Sequence, residues 1–276
     1  MKKIIFALAG VVALASCNKE LPSASISEAQ EVIFKVENNL DFNIQTKATA
    51  VTELNTFNVI AENSTSSSSV WSTTTTKSGS NYTTGKYWPS TDGKYAFYAS
   101  NVAMTYASGG ATISPSSNDT DIVVAYSAYN ANNYKKSIAL TFDHIYARIG
   151  TVSITAPSGY TINVSSVSTS IVKGGTYNVK TGSWTSKGTS SSQTLSVGSN
   201  DIYAVPNTYN VTVKYTLTKG DYSKEFTKTG SVTLVQGKIN NITATPSVSS
   251  DEGASDIIFT VSLTPWGSQN HSITLN

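Results

Sequence analysis

One cysteine (Cys17), two histidines and a single arginine (Arg148) are all that the 276 residues hold of three chemically versatile side chains. A lone cysteine closes no intramolecular disulfide, so stability has to come from burial and hydrogen bonding. His144 and His271 lie far apart, and there is no His-x-x-x-His pair, Gly-x-Ser-x-Gly elbow, phosphate loop or dinucleotide glycine pattern. A catalytic nucleophile needs its base within hydrogen-bond reach, and no such constellation stands out. The reading is a non-enzyme with no catalytic residues, no cofactor and no metal. Paired carboxylates for glycoside hydrolysis stay open, because spacing along the chain does not give spacing in a fold. Asp119 and Asp121 alternate as cation ligands do, but read as a solvated turn; Asp251, Glu252 and Asp256 read as a polar loop. Charge is scarce too, at 13% of the chain. Without residues 1–16, which carry Lys2 and Lys3 and no acid, the 19 basic and 17 acidic residues become 17 of each. That balance argues against nucleic acid as a partner.

Long apolar runs are also missing. The run Ile4–Ala15 is too short to cross roughly 30 Å of hydrocarbon. It follows Lys2-Lys3 and precedes Leu14-Ala15-Ser16-Cys17, which is the order of a secretory signal: basic, apolar, small at the cut. Leu-Ala-Ser-Cys resembles the bacterial lipobox, in which the cysteine thiol is acylated and becomes the new N-terminus. This implies a signal peptide over 1–16, a lipidated Cys17 and a tether over 17–30. Acyl chains contribute about 0.8 kcal/mol per buried CH₂, so two or more hold a domain on a membrane.

What is abundant is Ser, Thr, Asn and Tyr, the profile of a secreted β protein. No helical period is sustained over ten residues, apart from single turns near Glu28 or Val51–Leu54. Period-two segments begin at Glu31 with Val32-Ile33-Phe34-Lys35-Val36. Others follow at 57–61, 95–99, 122–126, 138–142 and 149–154, with Ser/Thr/Asn/Gly-rich loops expected at 64–69, 73–80 and 108–118. Ala156-Pro157-Ser158-Gly159 reads as an internal boundary. Beyond it come strands at 162–171, 176–180, 202–205, 209–217, 224–234, 239–245 and 257–263, with a short last one at 272–275. Many short strands with turn signals between them imply an all-β fold of two β-sandwich domains in series, over 31–156 and 157–276.

Trp71, Tyr82, Tyr87, Trp88, Tyr126, Tyr129, Tyr134, Trp184 and Tyr203 include several rings in loop contexts. Exposed rings stack on sugars, so a glycan-binding surface is one reading; covering sheet faces and strand ends is the favoured one.

Several stretches together resemble the fimbrillins of Bacteroidales type V pili. They are Thr46-Lys47-Ala48-Thr49 leading into Leu54–Ala61, Tyr87-Trp88-Pro89 before Tyr95–Ala99, and Phe142-Asp143-His144-Ile145-Tyr146-Ala147-Arg148. Tyr203–Thr208, Val235-Gln236-Gly237-Lys238 and Thr260–Trp266 add to them. The resemblance implies transthyretin-like sandwiches and makes His144 and Arg148 structural, the first a packed or hydrogen-bonded ring and the second paired with a carboxylate. It further implies a surface lipoprotein of the outer membrane and fimbrium, cut after Lys47 so that Ala48 becomes the N-terminus. The strand carrying Val32, Phe34 and Val36 is then lost, and a neighbour's strand fills the groove. Ile273 and Leu275 are candidates for a donor tail. The implied partners are other pilus subunits, the outer membrane through the lipid, and a surface glycan or protein. Where the family has arginine at the cut this chain has Lys47, and only ten residues follow Trp266, which leaves stalk, tip and anchor roles open. The alternative is a non-polymerising surface lipoprotein that binds glycans or host receptors.

Overall fold

The computed structural model describes residues 29–37, 54–107, 109–117, 120–248 and 254–266. The strands of the first half are β1 (Glu31–Val36), β2 (Asn58–Asn63), β3 (Ser68–Thr74), β4 (Thr76–Ser78), β5 (Asn81–Tyr87), β6 (Tyr95–Ser100), β7 (Thr105–Ala107), β8 (Gly110–Ile113), β9 (Val123–Ser127), β10 (Ile138–Leu140) and β11 (Asp143–His144). Those of the second are β12 (Ala147–Ile154), β13 (Thr161–Val172), β14 (Gly175–Asn178), β15 (Ser183–Lys187), β16 (Ser190–Leu195), β17 (Gly198–Ala204), β18 (Asn207–Lys219), β19 (Tyr222–Leu234), β20 (Lys238–Val248) and β21 (Ala254–Pro265). The fold is all-β, as the composition implies; one short 3₁₀ turn, Ala131–Asn133, interrupts the strands.

Two sheets, β10-β1-β5-β4 and β11-β9-β6-β2-β3, enclose one hydrophobic cluster. Inward residues of alternate register build it: Val32 and Phe34 from β1, Val59 and Ala61 from β2, Phe97 and Ala99 from β6. Two further sheets, β17-β12-β20-β21 and β16-β13-β18-β19, enclose a second cluster around Ile149, Val167, Val213, Tyr215 and Ile242. The clusters meet through the middle of the chain. Ile60 and Tyr98, on the opposite faces of β2 and β6, pack into the second cluster. β2, β6 and β9 are therefore covered on both faces, so their buried residues run consecutively where the sequence reading expects period two. A fifth sheet, β15-β14-β8-β7, joins strands from both halves by main-chain bonds, with Tyr177 opposite Ile113.

Three local findings differ from the sequence reading. Ser68–Thr74 and Thr76–Ser78, which overlap the loops expected at 64–69 and 73–80, are strands, and Ser190–Leu195 is a strand that the sequence reading does not place. They lie at sheet edges, where hydroxyl side chains meet water and no apolar alternation is needed. Pro157-Ser158-Gly159 forms the tight turn between β12 and β13, closed by Tyr160 N–H donating to the Pro157 carbonyl at 3.1 Å with Gly159 at φ +79°. β12 lies before the expected boundary at 156/157, yet its ladder partners are β17 and β20 of the second half. Asp121, read as part of a solvated turn, is fully buried.

Close packing fixes where β21 lies. Gly230 on β19 faces the ring of Phe259, and a Cβ there would sit 2.2 Å from a ring carbon. Gly230→Ala is expected to cost about 1–3 kcal/mol of stability in urea unfolding, the range for overpacking a filled interior. Adding Phe259→Ala should return part of that loss, as coupled neighbours do.

Candidate functional site

Sequence places a β-branched and aromatic hexapeptide, Glu31-Val32-Ile33-Phe34-Lys35-Val36, at the start of the described chain, and the fold places it in the middle of a sheet. β1 runs parallel to β10, pairing Phe34 with Ile138 and Val36 with Leu140, and antiparallel to β5, pairing Phe34 with Tyr82. Both of its edges are therefore hydrogen-bonded. The ends are fixed as well. Glu31 Oε1 accepts from Thr84 N–H at 2.8 Å and Gly85 N–H at 2.7 Å, and Thr84 Oγ1 donates to the Val32 carbonyl at 2.8 Å. At the far end Glu37 N–H donates to the Leu140 carbonyl at 3.0 Å.

Val32 and Phe34 are fully buried, and Val36 is half-buried. The Phe34 ring meets Phe97 edge-on at 5.1 Å and Phe57 at 6.1 Å, and Phe57 continues to Phe142 at 5.2 Å. Each fully buried side chain of this size contributes about 1.5–3 kcal/mol. Without β1, strands β5 and β10 would present open edges to either side of an aromatic-lined slot. Lys47 and Ala48 lie outside the described residues, in the stretch that links Glu37 to Leu54; Cys17, Ile273 and Leu275 also lie outside them.

The segment 142–148 spans both clusters. Phe142 packs in the first, Ile145 and Tyr146 in the second. His144 Nδ1–H donates to Asp121 Oδ1 at 2.9 Å, and its ring stacks on Trp266 at 4.1 Å. Trp266 stacks in turn against Tyr203 at 5.4 Å. Arg148 Nε lies 2.5 Å from Asp201 Oδ1, both side chains buried. Deleting one partner of such a pair typically costs about 3–5 kcal/mol. Both residues thus have the packed and paired surroundings that the family resemblance implies. Tyr146 Oη bonds the Ser117 and Lys173 carbonyls, and Trp184 Nε1–H donates to the Ile145 carbonyl at 3.0 Å.

A third buried carboxylate, Glu62, which the sequence reading missed, bridges the halves. Glu62 Oε2 accepts from Tyr98 Oη at 2.6 Å and from Tyr106 Oη at 3.1 Å, with Lys180 Nζ 3.8 Å from Oε1. Burial, followed by the bond to Glu62, holds the Tyr98 phenol well above its usual range. Tyr203 is raised by burial and then by the charges of Asp121 and Asp201. Burial also raises Tyr209 and Tyr215.

The predicted aromatics fall into three groups. Tyr82, Trp88 and Tyr203 are buried in the cores, while Trp71, Tyr126, Tyr129, Tyr134 and Trp184 are half-buried and Tyr87 is exposed. Trp88, Tyr95, Tyr129 and Tyr134 converge beside the turn that follows β5. Trp88 stacks on Tyr95 at 5.9 Å and meets Tyr134 edge-on at 5.6 Å. Asp92 stands at the mouth, accepting from Tyr129 Oη and from Lys94 N–H at 3.0 Å; those two bonds hold its carboxyl below the usual range. Lys94 itself is left-handed at φ +45°, and Gly93 has no room for a Cβ between Pro89 and Tyr95. Among the described residues no His/Cys/Asp/Glu group is arranged to hold a metal ion, and no helix is long and apolar enough to cross a membrane.

The family described as fimbrillin-like matches residues 30–266. No curated protein sequence matches the chain. Among solved structures, a fimbrial protein from Bacteroides vulgatus superposes with a TM-score of 0.56 at 14% identity, covering 86% of this chain and 99% of that one. Two candidate cell adhesion proteins from Parabacteroides distasonis give 0.53 and 0.52, each at 12% identity, covering 88% and 85% of this chain and 99% and 98% of theirs. At these identities the likeness is one of fold.

The raised tyrosines set a pH dependence. A phenol whose folded pKa exceeds its unfolded value of about 10 contributes stability that is present in full below that pH. It is lost as pH rises above that value, because the unfolded chain releases the proton first. Urea unfolding measured between pH 8 and pH 11 is therefore expected to show level stability up to about pH 9.5 and a steady fall beyond it. Tyr98→Phe should flatten part of that fall while lowering stability at pH 8, since Glu62 loses its shorter hydrogen bond.

Proposed function

The chain belongs to the fimbrillin-like family, and on that premise we propose a cell-surface pilus subunit or pilus-associated adhesin that assembles by exchanging β1 for a neighbour's strand. A fimbrial or adhesive role at the cell surface follows from the family, and we read that role as structural rather than enzymatic. Export on a lipidated Cys17 to the outer membrane, a cut after Lys47 exposing Ala48, and strand exchange are the further steps we propose, with other pilus subunits as partners. We keep the division into two sandwich domains as part of this reading, with β12 grouped by its ladders with the second.

The observation that carries the exchange step is the position of β1. It is central in its sheet, bonded on both edges, and plugged by Val32 and Phe34 into an aromatic core. It is also the first strand described, joined onward only through the stretch that holds Lys47. A cut there frees the strand from the chain without severing any other described strand. The empty slot then has open backbone edges and a vacated apolar floor, which only another strand satisfies on both counts.

Deletion of residues 31–46 tests this. The expected product is destabilised and associates, or recovers stability on addition of a peptide of residues 29–37; an equally stable monomer would defeat strand exchange. Mass spectrometry of the mature N-terminus on cell-surface protein is the companion measurement. A start at Ala48 supports loss of β1, and acylated Cys17 throughout identifies an anchor or a surface lipoprotein that is never cut.

A further inference from the structure

The aromatic pocket beside the β5–β6 turn borders the β1 slot, sharing Phe97 and Ile138 with it, and its chemistry is specific. Trp88 is only 6% exposed, and its indole Nε1–H is buried with no hydrogen-bond partner among the described residues. A buried donor left without an acceptor is costly, and native structures rarely keep one without a water or ligand to meet it. Trp88 lines a cavity of about 10 Å³ together with Tyr95, Phe97 and Tyr134 and with Asp92, Tyr129 and Asn133, Asp92 being exposed. That is room for one water-sized group, with the rest of any ligand lying in the mouth.

We propose that this pocket binds the terminal residue of a neutral glycan, one sugar hydroxyl entering the cavity and the apolar face of the ring lying against the tyrosines. The two polar groups select the class. Trp88 Nε1–H needs an acceptor. Asp92, kept in its ionised form by Tyr129 and the Lys94 amide, has acceptor sites left for a further donor. A hydroxyl is both. An ammonium group donates to Asp92 but leaves the indole unmet, and a phosphate or carboxylate accepts from the indole but is repelled by Asp92. Among the described residues, no lysine or arginine lines the cavity. The pocket is also built in advance: Asp92 is fixed by two hydrogen bonds, Tyr134 by its Oη donating to the Pro89 carbonyl at 2.7 Å, and the turn by the tight fit at Gly93. Preorganisation of this kind removes part of the entropy cost of binding. The site is proposed for the chain with β1 in place, since Phe97 and Ile138 also contact Phe34.

The test uses the full chain and the methyl glycosides of glucose, galactose, mannose and N-acetylglucosamine, followed by saturation-transfer NMR together with an array of neutral oligosaccharides. Saturable binding of at least one is expected, weakened tenfold or more by Asp92→Asn, an exposed position where the fold is not at risk, and similarly by Trp88→Phe. Binding to none of these ligands, binding unchanged by Asp92→Asn, or preferential binding of tetramethylammonium would each overturn the proposal. Any of these results leaves the outcome of the 31–46 deletion untouched.

Discussion

Main-chain pairing is the constraint on which the rest of this molecule depends. A buried N–H or C=O without a partner costs as much as a lost hydrogen bond, and with one arginine and no disulfide available the chain relies on ladders. β1 completes the ladders of β5 and β10, and β8 with β14 ties the two halves through a shared sheet. Side-chain packing follows from that scaffold. Phe34 reaches Phe57 and Phe97 only because β1 is held in register between its neighbours.

The halves are joined by more than a shared sheet. Phe142 lies in one cluster and Tyr146 in the other, and between them His144 is fixed by Asp121 and Trp266. Glu62 adds a polar bridge through Tyr98, Tyr106 and Lys180. Buried polar groups with defined partners specify one arrangement where an apolar interface alone tolerates several. The relation between β1 and the second half is thereby fixed through β2, β6 and β9, which face both cores.

Strands were legible where one face is wet. Val32-Ile33-Phe34-Lys35-Val36 alternates, and so do long stretches of β13 and β18, so their positions and inward residues follow from period two. The edge strands 68–74 and 190–195 escaped because hydroxyl side chains on both faces leave no apolar signal. Asp121 reads as a surface residue and Glu62 draws no notice, because a carboxylate is ordinarily exposed; only the fold supplies His144 and the two tyrosines that satisfy them. Pro-Ser-Gly signalled a tight turn correctly, but a turn between strands of one group looks the same in sequence as a turn between groups. The pairing of β12 with β20, some ninety residues away, leaves no local trace. Nor does the convergence of Trp88 with Tyr129 and Tyr134, since the strand order brings distant turns together.

The slot around β1 has a symmetry that bears on direction. One neighbour runs parallel to β1 and the other antiparallel, so β5 and β10 run opposite to each other. A strand threaded in reverse would again find one parallel and one antiparallel neighbour. Backbone pairing therefore leaves polarity almost undecided, and the choice passes to side chains at the ends of the slot. Thr84 and Gly85, whose amides hold the Glu31 carboxylate at one end only, distinguish head from tail. Under the proposed exchange, a carboxylate placed like that of Glu31 would tell an entering strand which way to face.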